Sequence, residues 1–252
     1  MAIEWESKAA AFAALHVPGE PLVLFNAWDA GSANIVADAG AKAVATGSWS
    51  VAAAQGFADG EKMPLDLAIA NLERIVAAVE LPVTIDLEGG YDDAAASAAR
   101  AKRAGAVGCN LEDRVVGGDG LYPADRQAAR LAAVREAAGP SFFINSRIDL
   151  FLKAPAEAHD EALLDEALER ARAYADAGAD GIFLPGLVDE RLVGSACERS
   201  PGPVNIMVWP GTPPLRRLAE LGVARISHAG APWRVAMKAL GEAARRAHDL
   251  EG

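Results

Sequence analysis

Residues 81–93, LPVTIDLEGGYDD, place Asp86 and Glu88 two positions apart at the end of an apolar run, just before Gly89-Gly90. Alternate side chains of a strand share a face, so these two carboxylates would point the same way. Such a pair could hold a cation, act as acid and base, or simply close the strand. The spacing recurs downstream. Asn110 and Glu112 lie two apart in AVGCNLED (106–113), with Asp113 adjacent, and Asn145, Arg147 and Asp149 alternate in SFFINSRID (141–149). Asn26 with Asp29, Thr46-Gly47-Ser48, and Asn205 mark the ends of other apolar runs.

Carboxylates gathered in one small volume repel each other and take up protons unless a cation offsets them. An oxygen-only set without His or Cys suits a hard ion, and Mg²⁺ keeps several waters while using one or two direct carboxylates. For a single acidic residue, a solvated strand end or a helix cap, as expected at Asp92 and Asp93, is the plainer reading. For the set together with Arg147 a metal site is favoured. Arg147 offers a planar fork matched to a carboxylate, the alternative being an internal ion pair with Asp149 or Glu112. The small residues of ATGSWSVA could bring backbone N–H groups close to an anion, although a lone Gly-Ser turn is a weak signal.

These residues need a frame that collects strand ends. Eight β-rich runs supply one: 22–29, 41–48, 82–88, 106–113, 141–149, 181–187, 204–209 and 223–229. Ala-rich amphipathic segments separate them, and ADAGAKAV, KRAGAVG and ADAGADGIF each stop a helix with glycine directly before a strand. This alternation predicts a parallel sheet closed into an α/β (β/α)₈ barrel, with the active site where the strands run out. The 252 residues read as one domain spanning 1–252.

The composition narrows the partners. A net charge of −11 argues against nucleic acid or an anionic membrane surface. Cys109 and Cys197 show no ligand or disulfide spacing, and Cys109 is one residue off the inward register of Asn110 and Glu112. The start MAIEWESKAAAF lacks the pattern of a signal peptide and no apolar run reaches membrane-spanning length, so a cytoplasmic protein is expected.

NAWDAGSANIVADAGAKAVATGS, QGFADGE, VTIDLEGGY, NLEDR and INSRID, in this order and spacing, resemble the isocitrate lyase/phosphoenolpyruvate mutase superfamily, closer to its small phosphonomutase and 2-methylisocitrate lyase branch. The likeness runs from about residue 20 to about 240. It implies a (β/α)₈ barrel with the C-terminal helix exchanged between subunits, a homodimer or homotetramer, Mg²⁺, and a 2-oxo acid as small-molecule substrate or product. By the same resemblance Asp86 is the direct Mg²⁺ ligand, with Glu88, Asp59 and Glu112 acting through water. Thr46, Gly47, Ser48 and Trp49 form the loop that receives the oxo-acid carboxylate or enolate oxygen. Arg147 is its arginine partner, and Asn205 matches a polar residue on strand seven.

The chain departs from that pattern in two places. The stretch EDRVVGGDGLYPADRQAAR carries neither the K-[KR]-C-G-H loop of the lyases nor the lysine of the mutases, and FLPGL has Gly186 where the lyases have a glutamate. Arg147 and Glu112 remain as catalytic candidates, with water or a loop residue such as Tyr122 or Asp119 to protonate the enolate, and the glycine pairs suit a flexible lid or equally a solvated surface loop. The leading expectation is a Mg²⁺-dependent lyase, cleaving or decarboxylating a small 2-oxo or 2-hydroxy diacid through a pyruvate-type enolate. The alternatives are carbon–phosphorus chemistry, as mutase or phosphonopyruvate hydrolase with Arg114 or Arg126 holding phosphoryl, or a 2-oxo-acid-binding protein with little turnover.

Overall fold

The computed structural model describes residues 2–248. Eight parallel strands are present: β1 (Leu22–Leu24), β2 (Val44–Ala45), β3 (Val83–Asp86), β4 (Gly108–Glu112), β5 (Phe143–Arg147), β6 (Gly181–Leu184), β7 (Val204–Met207) and β8 (Arg225–Ser227). They pair in the order β1-β8-β7-β6-β5-β4-β3-β2. The remaining seam closes through a parallel bridge between Ala27 and Thr46, with the Ala27 N–H donating to the Ala45 carbonyl at 2.8 Å. The result is a (β/α)₈ barrel. Each strand is shorter than its apolar run. Asp86, Glu112 and Arg147 are the last residues of β3, β4 and β5 and stand at the barrel mouth, whereas Asp29, Ser48 and Glu88 follow their strands.

Helices alternate with the strands: α1 (Ala2–Ala14), α2 (Ala30–Asp38), α3 (Ser48–Ala54), α4 (Leu65–Ala78), α5 (Ala94–Arg103), α6 (Ala124–Ala138), α7 (Leu150–Lys153), α8 (Glu161–Asp176), α9 (Glu190–Arg199), α10 (Leu215–Glu220) and α11 (Ala231–His248). Asp29, Asp93, Asp160 and Asp189 cap α2, α5, α8 and α9 by accepting an N–H of the first turn. The stop glycines Gly40, Gly105 and Gly178 have φ of 93°, 100° and 102°, a left-handed conformation that ends the helix and feeds the next strand.

α1 plugs the bottom of the barrel. Its Ala9 and Phe12 pack with Leu22, Leu24, Ala43, Ala45, Val107 and Phe143, and His16 stacks on Phe143 with ring centroids 4.0 Å apart. Cys109 faces the helices, as its register predicts, and Cys197 is half-buried on α9. Burial pushes both thiols up to about 12, which leaves them inert at neutral pH. α11 behaves differently from the other helices. Among its described residues only Pro232 is buried, and Val235 and Leu240 are exposed. No helix of the described residues is long and apolar enough to cross a membrane.

The barrel wall is tight between β4 and β5. A Cβ on Gly108 would lie 2.4 Å from the Phe143 carbonyl oxygen, a backbone atom that cannot swing aside. Gly108→Ala is therefore expected to cost about 2–4 kcal/mol in urea unfolding, whereas Gly120→Ala, which meets nothing within 4 Å, leaves the midpoint nearly unchanged. Equal midpoints for the two variants would contradict this packing.

Candidate active site

The strand ends surround a cavity of about 290 Å³ at the C-terminal mouth of the barrel. Gly47, Ser48, Trp49, Asp59, Asp86 and Arg147 all line it. Asp86 ends β3 and is locked from two sides. Its Oδ2 accepts the Ser48 hydroxyl at 2.9 Å and the Ser48 N–H at 3.3 Å, and its own N–H donates to Thr46 Oγ1 at 3.0 Å. Thr46 is thus a buried support for Asp86.

Glu88 sits behind Asp86. Its Oε2 accepts the N–H groups of Gly60 and Glu61 at 2.9 and 2.8 Å, and Glu61 Oε1 accepts the Tyr91 N–H at 2.7 Å. Glu61, Glu88 and Tyr91 all have left-handed φ, of 58°, 52° and 60°. Such backbone costs energy for non-glycine residues and persists where surrounding contacts enforce it. Here the two carboxylates clasp the two turns together, which brings the loop carrying Asp59 to the site. The Gly89-Gly90 pair allows close packing. A Cβ on Gly89 would lie 2.7 Å from Val116 and one on Gly90 2.5 Å from Ala94.

Arg147 gives its fork to the protein's own carboxylate. Nε and Nη2 donate to Asp149 at 2.6 and 2.9 Å, and Nη1 pairs with Glu112 at 2.8 Å. Asp149 is held in turn, its N–H donating to Asp113 at 3.0 Å, while Asp113 accepts the Tyr174 hydroxyl at 2.9 Å. The bidentate carboxylate partner expected of Arg147 is therefore Asp149, so Arg147 brings a fixed charge to the cavity and no open fork.

Two sequence candidates lie away from the cavity wall. The Tyr122 ring lies against the guanidinium groups of Arg126 and Arg130, at 4.7 and 4.5 Å. The loop before it closes on itself, with Arg114 bridging Leu121 and the Val115 N–H donating to the Gly120 carbonyl at 2.9 Å, and Tyr122 is not among the residues lining the cavity. Asn205 is buried one layer down and exchanges hydrogen bonds with Ser227 at 3.2 Å. Asn110 and Arg114, both noted in the sequence, also reach the cavity, and Arg234 does so without having been singled out, with Leu152, Phe183, Met207 and Trp209 as an apolar wall. Arg234 also stacks over Trp49 at 5.1 Å. Below the floor lies Arg225, fully buried on β8. Its even spacing from Ser227 was a signal, but the apolar Val223 on its other side masks it.

The electrostatics suit a cation. Burial, then Asp86, raises Asp59 above the usual carboxylate range, and the same causes in the same order push Glu88 up to about 7. Burial also raises Glu112, partly offset by Arg147, whose single charge faces two carboxylates. Burial opposes the charge on Arg147 itself, but Glu112, Asp149 and Asp86 outweigh it and hold the guanidinium firmly cationic. Among the described residues no three Asp, Glu, His or Cys side chains form a direct ligand cage. The donor set fits a hard ion taken by one carboxylate directly and by others through water.

Carboxylates, an arginine and a Gly-Ser turn converge at the C-terminal strand ends, the face at which enzymes of the (β/α)₈ class build their active sites. The profile of the phosphoenolpyruvate phosphomutase family matches residues 12–248, and the chain belongs to the phosphoenolpyruvate mutase/isocitrate lyase superfamily. An uncharacterized protein of Mycobacterium tuberculosis is 33% identical over 238 residues, covering 94% of this chain and 88% of its own. Phosphoenolpyruvate phosphomutase of Streptomyces hygroscopicus is 30% identical, with 92% and 77% covered. Oxaloacetate decarboxylase of Ectopseudomonas mendocina is 32% identical, with 84% and 74% covered. The crystal structure of a Burkholderia cenocepacia protein provisionally called a phosphonomutase superposes with a TM-score of 0.94 at 54% identity, covering 96% of this chain and 99% of that one.

The raised Glu88 carboxyl gives a signed pH dependence. Its folded value, about 7, exceeds its ordinary value of 4.5, so between them the folded state binds more protons than the unfolded one. Stability of the metal-free protein therefore falls as pH rises through that window, by at most about 3 kcal/mol from this group. Glu88→Gln is expected to flatten the fall in urea titrations at several pH values. A wild-type stability that rises across the window would contradict the assignment.

Proposed function

We propose that the chain is a Mg²⁺-dependent carbon–carbon lyase of the oxaloacetate decarboxylase type, acting on a small 2-oxo or 2-hydroxy diacid through a pyruvate-like enolate. The observation that carries this reading is the single cavity wall on which Asp86, Asp59, the Gly47-Ser48 turn and Arg147 meet. Asp86 is the direct ligand in this reading, with Asp59, Glu88 and Glu112 reaching the ion through water. Bound there, Mg²⁺ supplies a Lewis acid for the carboxylate and 2-oxo oxygens of a pyruvyl unit. Arg147, immobilised by Asp149, stabilises the same developing negative charge without having to reorganise. Trp49 walls the turn that receives the oxo acid.

The opposite wall favours decarboxylation over release of a larger carbanion. Leu152, Phe183, Met207 and Trp209 offer no acid. Gly186 has φ 89° and a Cβ there would lie 2.8 Å from the Phe151 carbonyl, so a side chain cannot be accommodated where the lyases place a glutamate. Departing CO₂ needs no protonation, and with Tyr122 off the cavity lining water is left to protonate the enolate. The oxaloacetate decarboxylase among the relatives supports this reading. Arg114 on the cavity wall is the residue that favours carbon–phosphorus chemistry, since Arg126 is engaged with Tyr122, and the phosphomutase relative supports that second reading.

The partner in this reading is a second copy of the chain. α11 exposes Val235 and Leu240, while a groove beside β1 exposes Val23, Phe25 and Ile35. Exchange of α11 between subunits buries both faces in a homodimer, or in pairs within a homotetramer.

Incubation with Mg²⁺ and oxaloacetate is expected to yield pyruvate by NMR, and Asp86→Ala to lower the rate at least about 10³-fold with loss of Mg²⁺ binding. Phosphate released from phosphonopyruvate, with oxaloacetate untouched, replaces this reading with the carbon–phosphorus one; oxalate binding without turnover of either points to a binding protein. For assembly, light scattering is expected to give a dimer or tetramer that the double variant Val235→Asp/Leu240→Asp dissociates. A monomeric wild type refutes the exchange.

A further inference from the structure

The floor of the cavity is Asn110, a residue that the carboxylate scheme leaves without a role. Its Oδ1 faces down into the barrel, where it accepts Asn145 Nδ2 at 2.8 Å and Arg225 Nη2 at 3.1 Å. Amide oxygen and nitrogen are ordinarily hard to tell apart, but a guanidinium has only donors, and an Asn110 turned the other way would set N–H against N–H. The orientation is therefore dictated by chemistry. With Oδ1 fixed below, Nδ2 points toward the cavity that Asn110 lines, and among the described residues it has no acceptor. Arg225 is itself unusual, fully buried with Nε and Nη1 unpartnered, and Asn145 Oδ1 is unpartnered beside it. A buried cation with a single hydrogen bond gives that bond unusual weight and polarises the amide, strengthening its N–H donors.

We infer that Asn110 is an oxyanion donor at the cavity floor, its Nδ2 receiving an oxygen of the bound 2-oxo acid, and that Arg225 is the positioning residue that aims and polarises it from beneath. This rests on the proposed 2-oxo-acid chemistry for the identity of the ligand, but the direction of the amide does not. Asp86 lines the same cavity, so an oxygen bound there lies between a metal ligand on the wall and the Asn110 donor on the floor. The charge of Arg225 reaches it through one amide group, without any contact between arginine and substrate.

Oxalate, a planar dianion shaped like the pyruvate enolate, is the probe. With Mg²⁺ saturating, calorimetry is expected to show oxalate binding weakened at least about 10-fold by Asn110→Ala and by Arg225→Met, while Arg225→Lys, which keeps a donor to Oδ1, restores most of it. The double variant Asn110→Ala/Arg225→Met should bind no more weakly than Asn110→Ala alone, because Arg225 acts through Asn110. A purely structural Arg225 would lower Tm in both Arg225 variants and leave their oxalate affinity unchanged, which overturns the inference. In the ligand-free protein, NMR is expected to show the Asn110 side-chain amide exchanging with water much faster than that of Asn145. Equal protection of the two overturns the inference whatever the ligand. A wild type that binds no oxalate, yet shows the fast Asn110 exchange, instead refutes the proposed function and leaves the aimed donor standing for another anion.

Discussion

Buried like charges are the constraint around which this barrel mouth is organised. Asp86, Asp59, Glu88 and Glu112 come from two strand ends and one loop, and their mutual field together with burial raises the last three above their usual range. Desolvation and repulsion both disfavour ionisation, so a group of this kind is stable only with protons or positive charge among its members. The protein supplies part of that charge in Arg147 and, beneath the floor, Arg225. What remains uncompensated is negative charge of the kind that a bound cation would offset, and the clasp and packing at the mouth hold the group in that condition.

Holding it requires backbone that would not persist alone. The Glu88 and Glu61 carboxylates clasp N–H groups across two loops, and three residues in left-handed backbone lie within that clasp. A fourth, Ala229 with φ 47°, lines the cavity beside Gly230. Packing reinforces the clasp, since Val116 of the loop after β4 rests on Gly89 and Ala94 of α5 on Gly90. Strain of order 1–3 kcal/mol per residue is tolerated because the surrounding contacts over-determine these turns. On Arg147 the same logic works through Asp149, Asp113 and Tyr174, a buried line of hydrogen bonds that leaves the guanidinium no freedom to swing.

Much of this was legible in the sequence wherever the signal is local. Apolar runs alternating with helical periods, and Gly40, Gly105 and Gly178 before strands, mark the barrel, because one residue's neighbours suffice to define a strand or a helix stop. The polar residues at the run ends, from Thr46 to Arg147, follow from the barrel. What was not legible depends on orientation in space. Spacing alone left Arg147 between an incoming ligand and Asp149, and only the fold shows that its fork is filled. Tyr122 is suggested by its place after Glu112 and Asp113, yet its ring packs against Arg126 and Arg130 off the cavity lining. Asn205 has the inward parity but lies one layer too deep. Arg225 escaped because an arginine inside a barrel contradicts the usual burial rule, and only its even spacing from Ser227 hinted at it.

The buried arginine also bears on why the site is built from so many carboxylates. An unpaired guanidinium in a barrel interior is costly, and burial pulls Arg225 down to about 9, still cationic at neutral pH. Asp86 is the leading charge acting against that shift, although the two make no hydrogen bond. The relation is reciprocal: a carboxylate at the mouth makes the arginine below tolerable, and the arginine favours negative charge at the mouth. In the proposed reaction, a transition state that concentrates charge on an enolate oxygen would draw on the same field, because a fixed cation in a low-dielectric interior acts without reorganising. The carboxylates at the mouth and the buried cation are thus one electrostatic unit divided by the cavity floor, and among the described residues Asn110 is the cavity-lining side chain that hydrogen-bonds Arg225.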